Sequence, residues 1–200
     1  MLQLLGQSPI LFILFAVIFV LALTIHEWAH AYVAYKLGDS TAKYAGRLTL
    51  NPAAHLDLIG TILIVLVGIG WGKPVPVNSL NFKNPRRDSA LVAFAGPFSN
   101  ILTAIVIAIA IHLLNLHPAV TSFLYATMLF SLRLAFFNLL PVFPLDGSSV
   151  VYGFLPVNLL RQWEQLQSYG IYILLFLIMT GTIGYFIFPL SEFSLVLLGF

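Results

Sequence analysis

Two histidines and a glutamate define the chemistry available to this chain. The stretch Thr24-Ile25-His26-Glu27-Trp28-Ala29-His30 is an HExxH motif. Residues four apart share a helix face, so His26 and His30 can point at one ion with Glu27 beside it. That is the ligand pair and general base of a zinc hydrolase. Zinc would supply an activated water there, and Glu27 would take its proton and pass it to a leaving nitrogen. A catalytic zinc takes three protein ligands and keeps one open position. The chain has no cysteine, so the third ligand must be His, Asp or Glu. Asp146 is the candidate, being acidic, next to an apolar run and followed by Gly147. One Zn2+ per chain is expected. Asn138, eight residues before Asp146, can supply a neutral donor to the developing oxyanion, or can instead bond to a neighbouring helix.

The medium around this motif is not water. The chain has 200 residues, 60% hydrophobic and 8% charged, with a mean hydropathy of +0.99. Soluble domains carry about 25% charged residues, so the composition implies an integral membrane protein. The net charge of +2 is confined to a few loops. That suits membrane orientation and gives no footing for nucleic acid. The HExxH lies inside an apolar run over 9–35, which has no basic n-region and reads as a retained span.

The elements that must position these residues follow from hydropathy and breakers. Residues 9–35 form a first span, ended by Lys36 and Gly38. His26 precedes Lys36 by ten residues, or ~15 Å of helix. Residues 39–55 are a polar connector with short β structure expected over 44–50. Residues 56–71 are apolar but short, with glycine at 60, 68 and 70. The run 72–78 is too proline-rich for a helix and suits an extended strap. Spans are expected over 89–114, 119–140 and 169–190, a polar interfacial stretch over 157–168, and a tail over 191–200 too short to cross. The expected fold class is an all-α polytopic membrane protein with about four full transmembrane helices, a re-entrant segment and a short β or extended loop. It forms one membrane domain over residues 1–200.

Topology tests this layout. The basic loops are 36–47 and 73–87, and the turn at 115–118 has no Lys or Arg. The positive-inside rule puts both basic loops on the cytoplasmic side, which requires 56–71 to enter and leave on one face. If 56–71 crossed fully, Asp146 would end about a bilayer core, ~30 Å, from His26. A re-entrant 56–71 instead brings Asp146 to the HExxH level. The predicted site lies nearer the cytoplasm, in a cavity walled by irregular backbone.

Other polar residues carry two readings each. His55 and Asp57 either orient a ligand or shuttle protons, or they cap and anchor the connector. Gly96, Pro97 and Asn100 fit a close helix crossing with one buried hydrogen bond. Arg133, inside a span, either snorkels or binds backbone carbonyls. His112 and His117 fall near the outer turn and receive no role.

At this point the chain resembles the site-2 protease family of intramembrane zinc metalloproteases, in its compact prokaryotic branch without PDZ or CBS domains. The likeness covers residues 20–150. It rests on His26-Glu27-Trp28-Ala29-His30, Leu50-Asn51-Pro52 with His55, Asp57 and Gly60, Lys73-Pro74-Val75-Pro76-Val77, Ala95-Gly96-Pro97 with Asn100, and Asn138 through Gly147. The resemblance implies His26, His30 and Asp146 as zinc ligands, Glu27 as catalytic base and Asn138 as an oxyanion donor. It implies a bilayer location in a prokaryotic cell membrane, and as substrate a transmembrane protein or signal-peptide remnant. Leu58, Ser131 and Ser149 depart from the family pattern, where proline, asparagine and arginine are common. A metal- or proton-translocating protein is the competing class, and an inactive binder of membrane segments another. One three-ligand site with an adjacent Glu27 exceeds what conduction needs, no inverted repeat is visible, and an intact Glu27 disfavours the inactive reading.

Overall fold

The computed structural model describes residues 8–67 and 70–200. Three helices are long and apolar enough to cross a membrane: α1 (Pro9–Lys36), α4 (Pro85–Leu113) and α5 (Pro118–Asn138). Each begins with proline in its first turn, where the missing N–H is no loss. The 28 residues of α1 run about 42 Å, enough for a tilted crossing. His117 caps α5 by accepting from the Ala119 N–H at 3.3 Å.

Between α1 and α4 lie the short α2 (Thr41–Tyr44) and the ten-residue α3 (Leu58–Val67). No strand forms over 44–50, contrary to expectation. There Arg47 is buried and bonded to the 72–78 strap, so this backbone is held by a side chain and not by a ladder. Among the described residues the only β pairing is an antiparallel bridge between Leu56 and Gly72. That bridge puts the two ends of 56–71 side by side, and Lys73 N–H donates to the His55 carbonyl at 2.9 Å. Ten residues of helix rise only ~15 Å, half a bilayer core. Residues 68 and 69 fall outside the described part. Asp57 caps α3, accepting from the Gly60 N–H at 2.8 Å.

The carboxyl-terminal third holds α6 (Asp146–Phe154), α7 (Val157–Gln167), α8 (Gly170–Met179) and α9 (Thr182–Leu197). The expected span over 169–190 is broken here: α8 and α9 meet at 77°. Gly181 makes the corner with φ +70°, a backbone conformation that suits glycine. Residues 191–197 therefore continue α9 and are not a separate tail. α9 packs along α5, with Leu195 joining Ala104, Ala108, Met128 and Leu132 in a buried cluster. Ala104 and Ala108 belong to α4 and let it approach α5 closely. The Arg133 guanidinium stacks over the Phe188 ring of α9, 5.0 Å from the centroid. At the far end His112 Nε2 donates to the Leu198 carbonyl at 2.8 Å.

Candidate metal centre

α1 carries His26 and His30 on the face that packs against α4, and both rings are buried. Their centroids lie 4.7 Å apart. Asp146 opens α6 and turns its carboxylate onto this pair. Its Oδ2 lies 3.0 Å from His26 Nε2 and 3.4 Å from His30 Nε2. One ligand atom from each of the three residues falls within 4.8 Å of the others.

Neighbouring groups decide which nitrogens face this point. His30 Nδ1 is 2.7 Å from the Val92 carbonyl. A carbonyl only accepts, so Nδ1 carries the proton and Nε2 presents a lone pair. His26 Nδ1 lies 3.2 Å from the side-chain amide of Asn100, which is fully buried and whose Oδ1 has no other partner. Amide oxygen and nitrogen are assigned by network, not observed. Turning the amide lets Oδ1 accept from His26 Nδ1–H, which pairs the orphaned oxygen and leaves Nε2 bare. Three lone-pair donors then converge with no hydrogen between them, an arrangement that a cation resolves. Tetrahedral zinc with ligands at about 2.0–2.1 Å sets ligand atoms ~3.3 Å apart, close to the two separations between Asp146 and the histidines. The donor set fits zinc.

Two glycines make the convergence possible. A Cβ on Gly96 would stand 2.6 Å from His26 Nε2 and would overlap His30 Nε2. A Cβ on Gly147 would overlap the Leu139 and Leu140 carbonyls, over which the start of α6 is folded. Glu27 follows His26 on α1, and its Oε2 accepts from the Val75 N–H at 3.1 Å.

Two cavities meet at this point. One, about 310 Å³, reaches His30 and Asp146 past Val75, Ser79, Ser89 and Ser149. The other, about 340 Å³, reaches His26 past Phe19, Trp71, Leu134, Phe137 and Asn138. Glu27 and Pro74 line both. Asn138 thus stands in the wall near His26, with one amide hydrogen bonded to the Leu134 carbonyl at 3.0 Å. His55 is away from the centre: fully buried, it sits 2.7 Å from the Thr49 carbonyl and 3.4 Å from Arg47 Nη2. Its second reading, an anchor of the connector, matches this placement. The Val92 carbonyl and the Val75 N–H went unforeseen because backbone groups have no signal in side-chain identity. The partner of Asn100 was equally hidden, although its buried bond was expected.

Fold and site together define a polytopic membrane protein with an HExxH centre closed by a carboxylate from a second helix. The description peptidase family M50 matches residues 112–181, the part that carries Asn138 and Asp146. The chain is 41% identical to YwhC of Bacillus subtilis (strain 168), which is named as a zinc metalloprotease, over 86% of this chain and 82% of that protein. It is 29% identical to Rip2 of Mycobacterium tuberculosis, similarly named, over 86% of this chain and 72% of Rip2. It is 26% identical to the zinc metalloprotease MJ0392 of Methanocaldococcus jannaschii over 77% of this chain and 38% of that longer protein. No solved structure is a significant match. The chain belongs to peptidase family M50, the site-2 proteases, and is a metallopeptidase.

Proposed function

We propose that this chain is an intramembrane zinc endopeptidase that hydrolyses peptide bonds in or near transmembrane segments of other proteins. The observation that carries the reading is the meeting of His26, His30 and Asp146 beside Glu27, on a helix long enough to cross the bilayer. His26, His30 and Asp146 are its zinc ligands, and Glu27 is its general base. Bound zinc acidifies water and polarises the scissile carbonyl.

The chain's own residues do the rest. The Val92 carbonyl and the Asn100 amide hold the two imidazoles in the ligating tautomer. Glu27, at the junction of both cavities, takes the proton of the attacking water and returns it to the leaving nitrogen. Asn138 has a second amide hydrogen beyond the one bonded to Leu134. That hydrogen is available to the developing oxyanion. The aromatic-walled cavity suits an apolar segment arriving from the bilayer, and the serine-lined cavity suits water. A helical substrate shields its carbonyls, so an unwound or Gly/Pro-rich segment is the expected substrate.

Lys36, Lys43, Arg47, Lys73, Lys83, Arg86 and Arg87 all fall in loops or helix ends between α1 and the first turn of α4, a stretch that a re-entrant 56–71 keeps on one face of the membrane. By the positive-inside rule this face is cytoplasmic, and the site lies nearer to it in a prokaryotic cell membrane. Glu27→Gln in proteoliposomes containing a transmembrane peptide tests the reading. Cleavage should vanish while zinc stays bound. Cleavage at the wild-type rate would overturn it.

A further inference from the structure

Arg47 is a buried cation that the proposed mechanism leaves without a task. It lies in the connector, outside the spans, and carries no acidic partner within ion-pair distance among the described residues. Its Nη1 donates to the Pro74 carbonyl at 3.1 Å and its Nη2 to the Lys73 carbonyl. Nη2 also approaches His55 Nδ1 at 3.4 Å. His55 Nε2 faces the Thr49 carbonyl, so Nε2 carries the proton and Nδ1 is left to accept. The fork of one guanidinium thus clamps two consecutive carbonyls of the strap, braced from behind by a fully buried imidazole.

The residue after the clamp is Val75, whose N–H donates to Glu27 Oε2 at 3.1 Å. Pro74 and Pro76 have no N–H, so over 74–76 Val75 supplies the only backbone donor. The strap has a second anchor further on. Asp39, fully buried, accepts from the Asn78 N–H and from the Asn81 amide, each at 2.7 Å. Between the two anchors the strap passes Glu27, and Pro74 belongs to the wall between the two cavities.

We propose that Arg47 is a positioning residue for Glu27: it fixes the strap so that the Val75 N–H holds the carboxylate where the attacking water meets it. This rests on the reading of Glu27 as general base. A side chain released from that bond samples other rotamers, and misplacement of about 1 Å can cost ~10²-fold in rate.

The test uses the full chain in proteoliposomes and a quenched-fluorescent transmembrane peptide, a leucine helix interrupted by Gly-Pro. Wild type, Arg47→Ala, Arg47→Lys, Val75→Pro and Arg47→Ala/Val75→Pro are compared for kcat, KM and zinc per chain. Val75→Pro removes the N–H and leaves the clamp in place. The single variants should lose roughly 10- to 100-fold in kcat, with zinc retained and KM little moved. Arg47→Lys should lie between wild type and Arg47→Ala, because an ammonium cannot fork across two carbonyls. The double variant should be no slower than Arg47→Ala, since both changes cut one connection. Hydrogen exchange of the Val75 amide, read without any turnover, should quicken in Arg47→Ala and Arg47→Lys.

Wild-type kcat in Val75→Pro, or losses that multiply in the double variant, would overturn the proposal. Unchanged Val75 exchange in the Arg47 variants would do the same. If Arg47→Ala fails to fold, Arg47→Lys and Val75→Pro carry the comparison. Glu27→Gln is measured alongside. Activity there sinks the base reading itself, whereas an inactive Glu27→Gln beside fully active Arg47→Lys and Val75→Pro sinks only the role of Arg47.

Discussion

His26 Nε2 and Asp146 Oδ2 stand 3.0 Å apart across 120 residues of chain. Nothing local links them. The contact exists because α5 returns the chain to the level of the HExxH and the turn over 139–145 delivers α6 onto α4, from which the Asp146 side chain reaches α1. Zinc stoichiometry on purified protein should be about one per chain. Asp146→Ala should abolish or strongly weaken it. Full zinc retention would exclude Asp146 as a ligand and separate the two helices chemically.

Gly96→Ala separates metal binding from folding. Alanine in a helix is favoured over glycine by about 0.8–1 kcal/mol, so helix propensity predicts no loss of α4. Its Cβ, however, would crowd both Nε2 atoms. The expected outcome is a helical protein by circular dichroism that no longer retains zinc through chelator challenge. Wild-type zinc retention would mean that α1 and α4 can separate without cost.

Asn100 should matter through His26 alone. Removing a partner that orients a ligating histidine typically weakens metal affinity by 10–100-fold. Asn100→Ala should show that loss in a competition titration with a zinc chelator. Asn100→Asp keeps an acceptor toward His26 Nδ1 and should bind zinc more tightly than Asn100→Ala. Equal affinities for the two variants would argue that the amide only fills space.

Asn138→Ala isolates the oxyanion role. Loss of one such donor costs about 10²–10³-fold in kcat. Zinc content should be unchanged, because Asn138 bonds to Leu134 and to none of the three ligating residues. A variant with normal kcat would leave Asn138 as a helix-capping side chain.

The strap should also respond to acid. Burial alone would raise the Asp39 carboxyl, but hydrogen bonds from Thr41, Asn78 and Asn81 outweigh it and hold the group below the usual carboxylate range. A depressed folded-state pKa adds stability above the unfolded value, near 3.9, and loses it as pH falls through the folded value. Thermal melts of wild type should therefore decline below about pH 4, and Asp39→Asn should flatten that decline while being less stable at neutral pH. Parallel pH profiles for both proteins would exclude Asp39 as the acid-sensitive anchor.

Much of this protein is legible in its sequence. Spacing alone puts His26 and His30 on one face with Glu27 beside them, because helical geometry is local and repeats every 3.6 residues. Hydropathy marks α1, α4 and α5, since only long apolar helices satisfy their backbone in lipid. Charge distribution over the loops even requires 56–71 to return to its starting face, as the Leu56–Gly72 bridge has it. The tertiary structure alone decided the rest. The break at Gly181 depends on a single positive φ inside an otherwise continuous apolar run. The tautomers of both histidines depend on a Val92 carbonyl and an Asn100 amide brought from another helix. The hold on Glu27 depends on a backbone N–H, and every residue but proline has one. Periodicity and composition report on neighbours along the chain, whereas these contacts arise only from how separate helices are packed.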